Sequence, residues 1–159
     1  MDRFPAKAVI CFLIRDGGNE VLLAREKTNP RKGFWNGYSG RIEPGETREV
    51  TAVRELREEC GVIVDPSDLE ARGVIKRQND NFLLPSWEIR IYVASHWTGE
   101  PQESKEMGPP EWFHRENIPR TMAFTSDYFW LPRVLEGVTV EVHCTYDMER
   151  KLRAITIVP

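Results

Sequence analysis

Glu55, Glu58 and Glu59 crowd into one short segment behind Glu46 and Arg54, in the stretch GRIEPGETREVTAVRELREECGV (residues 40–62). On a helix, positions i, i+3 and i+4 stack on one face, so three like charges would be gathered there. Two readings are open. Either the face is solvated and screened, the common fate of a charged helix face, or it holds cations. Hard carboxylate oxygens suit Mg²⁺ or Mn²⁺. Magnesium takes few carboxylates and completes its shell with water and substrate phosphates, so this face would hold one to three cations around a diphosphate. Gly40 and Gly45 bracket a loop containing Pro44 that delivers the chain to the helix. Arg54 is expected to point away from the three glutamates and pair with Glu46, fixing the loop on the helix.

The elements that must position these residues follow from periodicity. Thr47 to Cys60 contains no Gly or Pro, and Val53, Leu56 and Cys60 recur at helical spacing. This predicts an amphipathic helix with the acidic residues opposite its apolar face, stopped by Gly61. Upstream, the apolar run 7–14 (KAVICFLI) predicts a buried strand, and the turn Asp16-Gly17-Gly18-Asn19 leads into a second strand, 20–26, as a hairpin. Residues 28–40 read as a loop. Strands are expected near 70–78 and 87–95, and a helix from about Ser126 to Leu135, short or bent at Pro132. The alternating segments VTVEVHCTY and KLRAITIV flank a turn at 147–150 and predict a closing hairpin. No repeat or linker interrupts the chain, so residues 1–159 are expected to form one domain of mixed α/β class.

Composition narrows the function classes. The chain has 159 residues, is 40% hydrophobic and 30% charged, and carries a formal charge of −3. That is a globular composition without a basic footprint, so a nucleic-acid polymer is not an expected partner. No run approaches the roughly 20 apolar residues of a membrane span, and the start MDRFPAKAV lacks a signal-peptide core. Cys11, Cys60 and Cys144 are odd in number and widely spaced, as expected of reduced thiols in a cytoplasmic protein. His96, His114 and His143 are scattered and form no metal motif.

The acidic stretch resembles the Nudix box: Gly, five residues, Glu, seven residues, then Arg-Glu-apolar-x-Glu-Glu-x-Gly-apolar. Gly40, Glu46, Arg54, Glu55, Leu56, Glu58, Glu59, Gly61 and Val62 fill every position. Seven non-apolar matches arise by chance on the order of once per billion starting points, which removes coincidence as an explanation. The resemblance implies an α/β/α sandwich with a central mixed β-sheet and the box as loop, helix and loop. It also implies hydrolysis of nucleoside diphosphate derivatives with divalent cations, Mg²⁺ or Mn²⁺. Glu55, Glu58 and Glu59 become metal ligands, with a backbone carbonyl at Ser39 or Gly40. Cation-activated water then attacks phosphorus, with a glutamate as general base. Glu106, outside the box, is the further candidate for base and ligand.

Further segments are similar to the 8-oxo-dGTP diphosphatases, which hydrolyse oxidised purine nucleoside triphosphates: GFWNGYSGRIEPGE, ESKEMGPPEWF (103–113), ENIP (116–119) and DYFWLP (127–132). The likeness implies base contacts from Asn36 and Asp127. Trp35, Trp87 and Phe124 offer stacking surface. Departures fall where the base should sit. Ser126 stands where a second acid is expected, and Phe124 or Ala123 where a tryptophan is. Lys76-Arg77-Gln78-Asn79 replaces an apolar wall, Glu26 a lysine, and Ser39 a glycine. If Lys76 and Arg77 face the pocket, they favour a carbonyl-rich base edge or an extra phosphate. The leading expectation is a nucleoside triphosphate diphosphatase for oxidised purines. Hydrolysis of a canonical nucleotide, a nucleotide sugar or a dinucleotide polyphosphate, or a nucleotide-sensing module without turnover, stand as alternatives.

Overall fold

The computed structural model describes residues 1–81 and 83–159. Its first strand, β1 (Ala6–Arg15), sets the architecture, because both of its faces are buried. Val9, Cys11 and Leu13 enter one core cluster, while Ala8, Ile10, Phe12 and Ile14 enter another on the opposite face. A continuous apolar run is what a strand covered on both sides requires.

The remaining elements are β2 (Glu20–Arg25), β3 (Trp35–Asn36), β4 (Tyr38–Arg41), α1 (Arg48–Cys60), β5 (Glu70–Asn79), β6 (Trp87–Ala94), β7 (Glu111–His114), α2 (Asp127–Leu135), β8 (Val140–Tyr146) and β9 (Leu152–Val158). The sheet runs β3-β2-β1-β6-β5-β8-β9, with β4 also pairing β1 and β7 pairing β2. β1 is parallel to β6 and β5 to β8, and the other pairs are antiparallel, so the sheet is mixed. Ala52, Leu56 and Cys60 of α1 pack on the Val9-Cys11-Leu13 face. Trp130, Leu131, Val134 and Leu135 of α2 pack on the other. The result is an α/β/α sandwich.

The two expected hairpins form, with Ile14 opposite Val21 and His143 opposite Thr156. α1 begins one residue later than expected, because Thr47 is its cap and accepts a hydrogen bond from the Val50 amide at 3.2 Å. Gly61 ends it with φ 78°, a left-handed conformation that suits a residue without Cβ. The segment 28–40 is not all loop. It contains β3 and most of β4, and β7 was not anticipated. All three are too short to show an alternating pattern. The three cysteines are free and buried. Among the described residues no helix is long and apolar enough to cross a membrane.

Candidate active site

β4 brings the acidic helix to the sheet. It pairs with β1, Val9 opposite Gly40 and Ile10 opposite Ser39, and α1 lies across it. Gly40 permits that approach, because a Cβ there would overlap the Glu55 carboxylate. The glutamates do not all lie opposite the apolar face, as periodicity had suggested. Glu55 and Glu59 are buried and only Glu58 is exposed. At 100° per residue, Glu59 projects within about 20° of Ala52, so it is carried towards the sheet with the apolar stripe.

Burial dominates the electrostatics. The Glu59 carboxyl, 6% exposed, is pushed up to about 9 by loss of solvent and then by the charges of Glu55 and Glu26, with Glu106 adding to this. The Ser39 amide opposes the shift, donating to Glu59 Oε1 at 2.8 Å. Glu55 is raised by burial and by Glu58 and Glu106, against the pull of Arg54. Glu26 is also raised, chiefly by burial, with Glu106 again contributing. Glu26 and Glu106 stand side by side because Glu26 bridges Met107 and the Lys27 amide donates to the Glu106 carbonyl at 2.9 Å. Glu106 therefore joins the cluster from outside the helix. Glu26 joins it too; the sequence had placed it near the base, in place of a lysine, but not among the carboxylates.

Arg54 holds Glu46 as expected, Nε to Oε2 at 2.8 Å and Nη2 to Oε1 at 2.9 Å. It does not point away from the other glutamates. Nη1 donates to Glu55 Oε1 at 2.7 Å and to Glu58 Oε2 at 3.3 Å, while Nη2 reaches the Arg41 carbonyl at 3.2 Å. The guanidinium fork has enough donors to serve the loop and the helix together. The Arg54 hydrogen bonds hold the Glu46 carboxyl down at about 2.

Among the described residues, no three Asp, Glu, His or Cys side chains already converge as a cation shell. Arg54 lies between Glu55 and Glu58, and Glu59 is turned to the Ser39 amide. The donor chemistry nonetheless fits a hard cation. Buried carboxylates that raise one another's proton affinity are relieved by a positive charge.

Beside this cluster lies a cavity of about 170 Å³ that opens into a groove of about 580 Å³. Asn36, Ser39, Gly40, Trp87 and Phe124 all line the cavity, so five of the residues expected to contact substrate are brought together. Asn36 Nδ2 donates to Glu26 Oε1 at 3.1 Å and its Oδ1 accepts from the Gly37 amide at 2.9 Å, which fixes the amide and leaves one donor and one acceptor position open. Two expected contacts lie elsewhere. Trp35 packs edge-on against Phe113 in the core, since neighbouring residues of a strand face opposite ways. Asp127 is fully buried and is not part of the cavity wall; its Oδ1 accepts from Trp130 Nε1 at 3.0 Å and Ser126 Oγ at 3.2 Å, while Oδ2 has no partner among the described residues. Burial raises the Asp127 carboxyl to about 6, against the charge of Arg77.

The four-residue wall divides by the same alternation. Arg77 and Asn79 face the cavity and groove. Lys76 turns to the opposite face, 3.9 Å from Glu141. Arg31 and Arg41 also line the cavity. Neither was anticipated, because an arginine in a turn-rich loop or beside a glycine carries no signal of its direction.

Residues 4–134 match the NUDIX domain family. The chain is 36% identical over 135 residues to an oxidized purine nucleoside triphosphate hydrolase of Danio rerio, covering 84% of this chain and 82% of that one. It is 35% identical over 116 residues to the protein of that description in Mus musculus, covering 73% and 72%. Its fold is similar to that of a mutator MutT protein from Bacillus halodurans, with a TM-score of 0.81 at 23% identity, over 97% of this chain and 98% of that one.

Proposed function

This chain is an enzyme of the Nudix hydrolase family, and from that premise we propose that it cuts purine nucleoside triphosphates to monophosphate and pyrophosphate, preferring oxidised bases such as 8-oxo-guanine. The observation that carries this reading is the cluster of Glu55, Glu59, Glu26 and Glu106 directly beside a cavity walled by Trp87 and Phe124. The relatives in fish and mouse, both described as oxidized purine nucleoside triphosphate hydrolases, support the substrate class.

Nudix hydrolases generally require a divalent cation. Glu55, Glu58 and Glu59, with the Gly40 carbonyl and Glu106, are the groups that would hold it. When bound, it offsets the diphosphate charge and makes water a better nucleophile. The protein's own groups then set geometry and proton traffic. Arg54 and Glu46 lock the loop that joins β4, which carries Gly40, to α1. Exposed Glu106 takes the proton from the attacking water, and Glu58 is the alternative base. Trp87 and Phe124 wall the base, and Asn36 offers it an open donor and acceptor.

Side-by-side kcat/KM for 8-oxo-dGTP, dGTP, dATP and ADP-ribose with Mg²⁺ tests this. The expected order places 8-oxo-dGTP first, by a modest margin over dGTP, with pyrophosphate as the second product. ADP-ribose as the best substrate, or single phosphates released from dGTP, would overturn it.

A further inference from the structure

Arg77 sits mid-strand in β5, 8% exposed, with a buried Nε that has no hydrogen-bond partner among the described residues. Its guanidinium lies over the Phe124 ring at 3.3 Å from the centroid, and Arg31 approaches the same ring at 4.0 Å. Arg41 lines the same cavity. Among the described residues, no carboxylate comes within 4.0 Å of Arg31, Arg41 or Arg77 as an ion-pair partner. Glu26 and Asp127 act on Arg31, and Asp127 on Arg77, only through charge at longer range. Two carboxylates against three guanidiniums still leave a net positive end.

That arrangement is costly unless something compensates it. An arginine cannot shed its proton to escape burial, and a buried positive charge without a partner carries a desolvation penalty. Arg31 and Arg77 also repel each other across Phe124. The cleft is therefore bipolar, with carboxylates at the Glu59 end and guanidiniums at the Arg77 end. A neutral base does not offset the second end. Guanidinium forks are matched by phosphate, by carboxylate, or by paired carbonyl oxygens bearing negative charge.

Resting on the nucleotide-hydrolase reading above, we infer that the Arg31–Arg41–Arg77 end of the cleft is an anion subsite, selecting substrates that carry negative charge at the nucleoside end as well as in the phosphate chain. Two sources share that chemistry: an acidic, carbonyl-rich base lying in the cavity beside Trp87 with its edge to the guanidiniums, or a phosphate on the sugar reaching the wider groove, where Arg150 adds a fourth cation.

The test compares substrates matched in the phosphate chain. The first pair is the triphosphate of deoxyxanthosine, whose base ionises readily, against that of deoxyinosine. The second is GTP with and without a 3′-phosphate. In the full chain with Mg²⁺, the more negative member of at least one pair should show kcat/KM about tenfold higher, the worth of one charge-assisted hydrogen-bond pair. The first pair responding assigns the base as the source, and the second assigns the sugar phosphate. Arg77→Gln should bring the ratio to within about twofold of unity. Arg31→Gln, in a loop and tolerant of substitution, should do the same if the β5 variant fails to fold. Ratios near unity in the unaltered protein, with the neutral members still cut, overturn the subsite and leave the enzyme reading intact. If no triphosphate is cut, the enzyme reading has failed. The subsite is then decided by calorimetric binding in a chelator of xanthosine against inosine 5′-monophosphate, and of guanosine 5′-monophosphate with and without a 3′-phosphate, where equal or absent binding within both pairs overturns it.

Discussion

Arg54 grips Glu46 with two prongs, at 2.8 and 2.9 Å, while its remaining nitrogen reaches Glu55 on the same helix at 2.7 Å. The loop that follows β4 and the helix carrying the glutamates are thereby held by one side chain. Lysine cannot reproduce the fork, so Arg54→Lys is expected to lower kcat/KM about tenfold or more. The variant combining it with Glu46→Gln should be no more than about twofold worse than Arg54→Lys alone. Fully additive losses in that cycle would show that the two residues act separately.

What was legible in the sequence depended on pattern length. β1 and α1 announce themselves over ten residues or more, and Thr47 and Gly61 mark the helix ends. The box placed Glu55, Glu58 and Glu59 together by type and spacing. It did not reveal that Glu55 and Glu59 would be buried, because that depends on how α1 rolls against β4. β3 and β7 are too short for alternation to be read, which is why Trp35 was expected at the cavity and Asn36 alone lines it. Arg31 and Arg41 come from loop and strand-end positions. Only tertiary packing brings them to Arg77.

The acidic cluster predicts an unusual coupling between pH and metal. Glu59 has a folded value of about 9, above its ordinary 4.5. A carboxyl raised in this way contributes stability that is fully present below the unfolded value and is lost as pH rises through the folded one. Asp127, raised from 3.8 to about 6, acts in the same direction but over the lower range that ends near pH 6, so the change above pH 6 is assigned to Glu59. The metal-free protein is therefore expected to lose on the order of a few degrees of Tm between pH 6 and 9. A cation must displace the Glu59 proton, so Mg²⁺ affinity should rise with pH up to about 9, with proton release visible in calorimetry across buffers of different ionisation enthalpy. A flat Tm profile without metal, together with pH-independent affinity, would contradict this placement of Glu59.

Charge removal separates the roles assigned to Glu59 and Glu106. Glu59→Gln keeps shape but deletes a buried ligand charge, and kcat should fall by at least about a hundredfold under saturating Mg²⁺. A loss within threefold would sink the assignment. Glu106 is exposed at the rim of the cluster, so Glu106→Gln should leave more activity. If Glu106 is the base, the acidic limb of the pH–rate profile should change shape, because that limb reports the group that takes the proton. An unchanged profile would pass the role to Glu58.

Gly40 offers a test that isolates geometry from charge. A Cβ there would overlap Cγ, Cδ and Oε1 of Glu55. Its φ lies outside the left-handed region, so alanine brings no backbone strain and acts only through that collision. Overpacking of this kind destabilises by about 1–3 kcal/mol, and it also pushes Glu55 out of line with Glu59. Gly40→Ala is thus expected to lower both Tm and kcat. In a Glu55→Ala background the obstacle is gone, so adding Gly40→Ala should leave Tm almost unchanged, while activity stays low because the carboxylate is missing. The double-mutant cycle in Tm should therefore show strong positive coupling. Equal destabilisation by Gly40→Ala in both backgrounds would mean that the cost arises elsewhere than at the Glu55 side chain. The contact between β4 and Glu55 would then not set the position of the carboxylate.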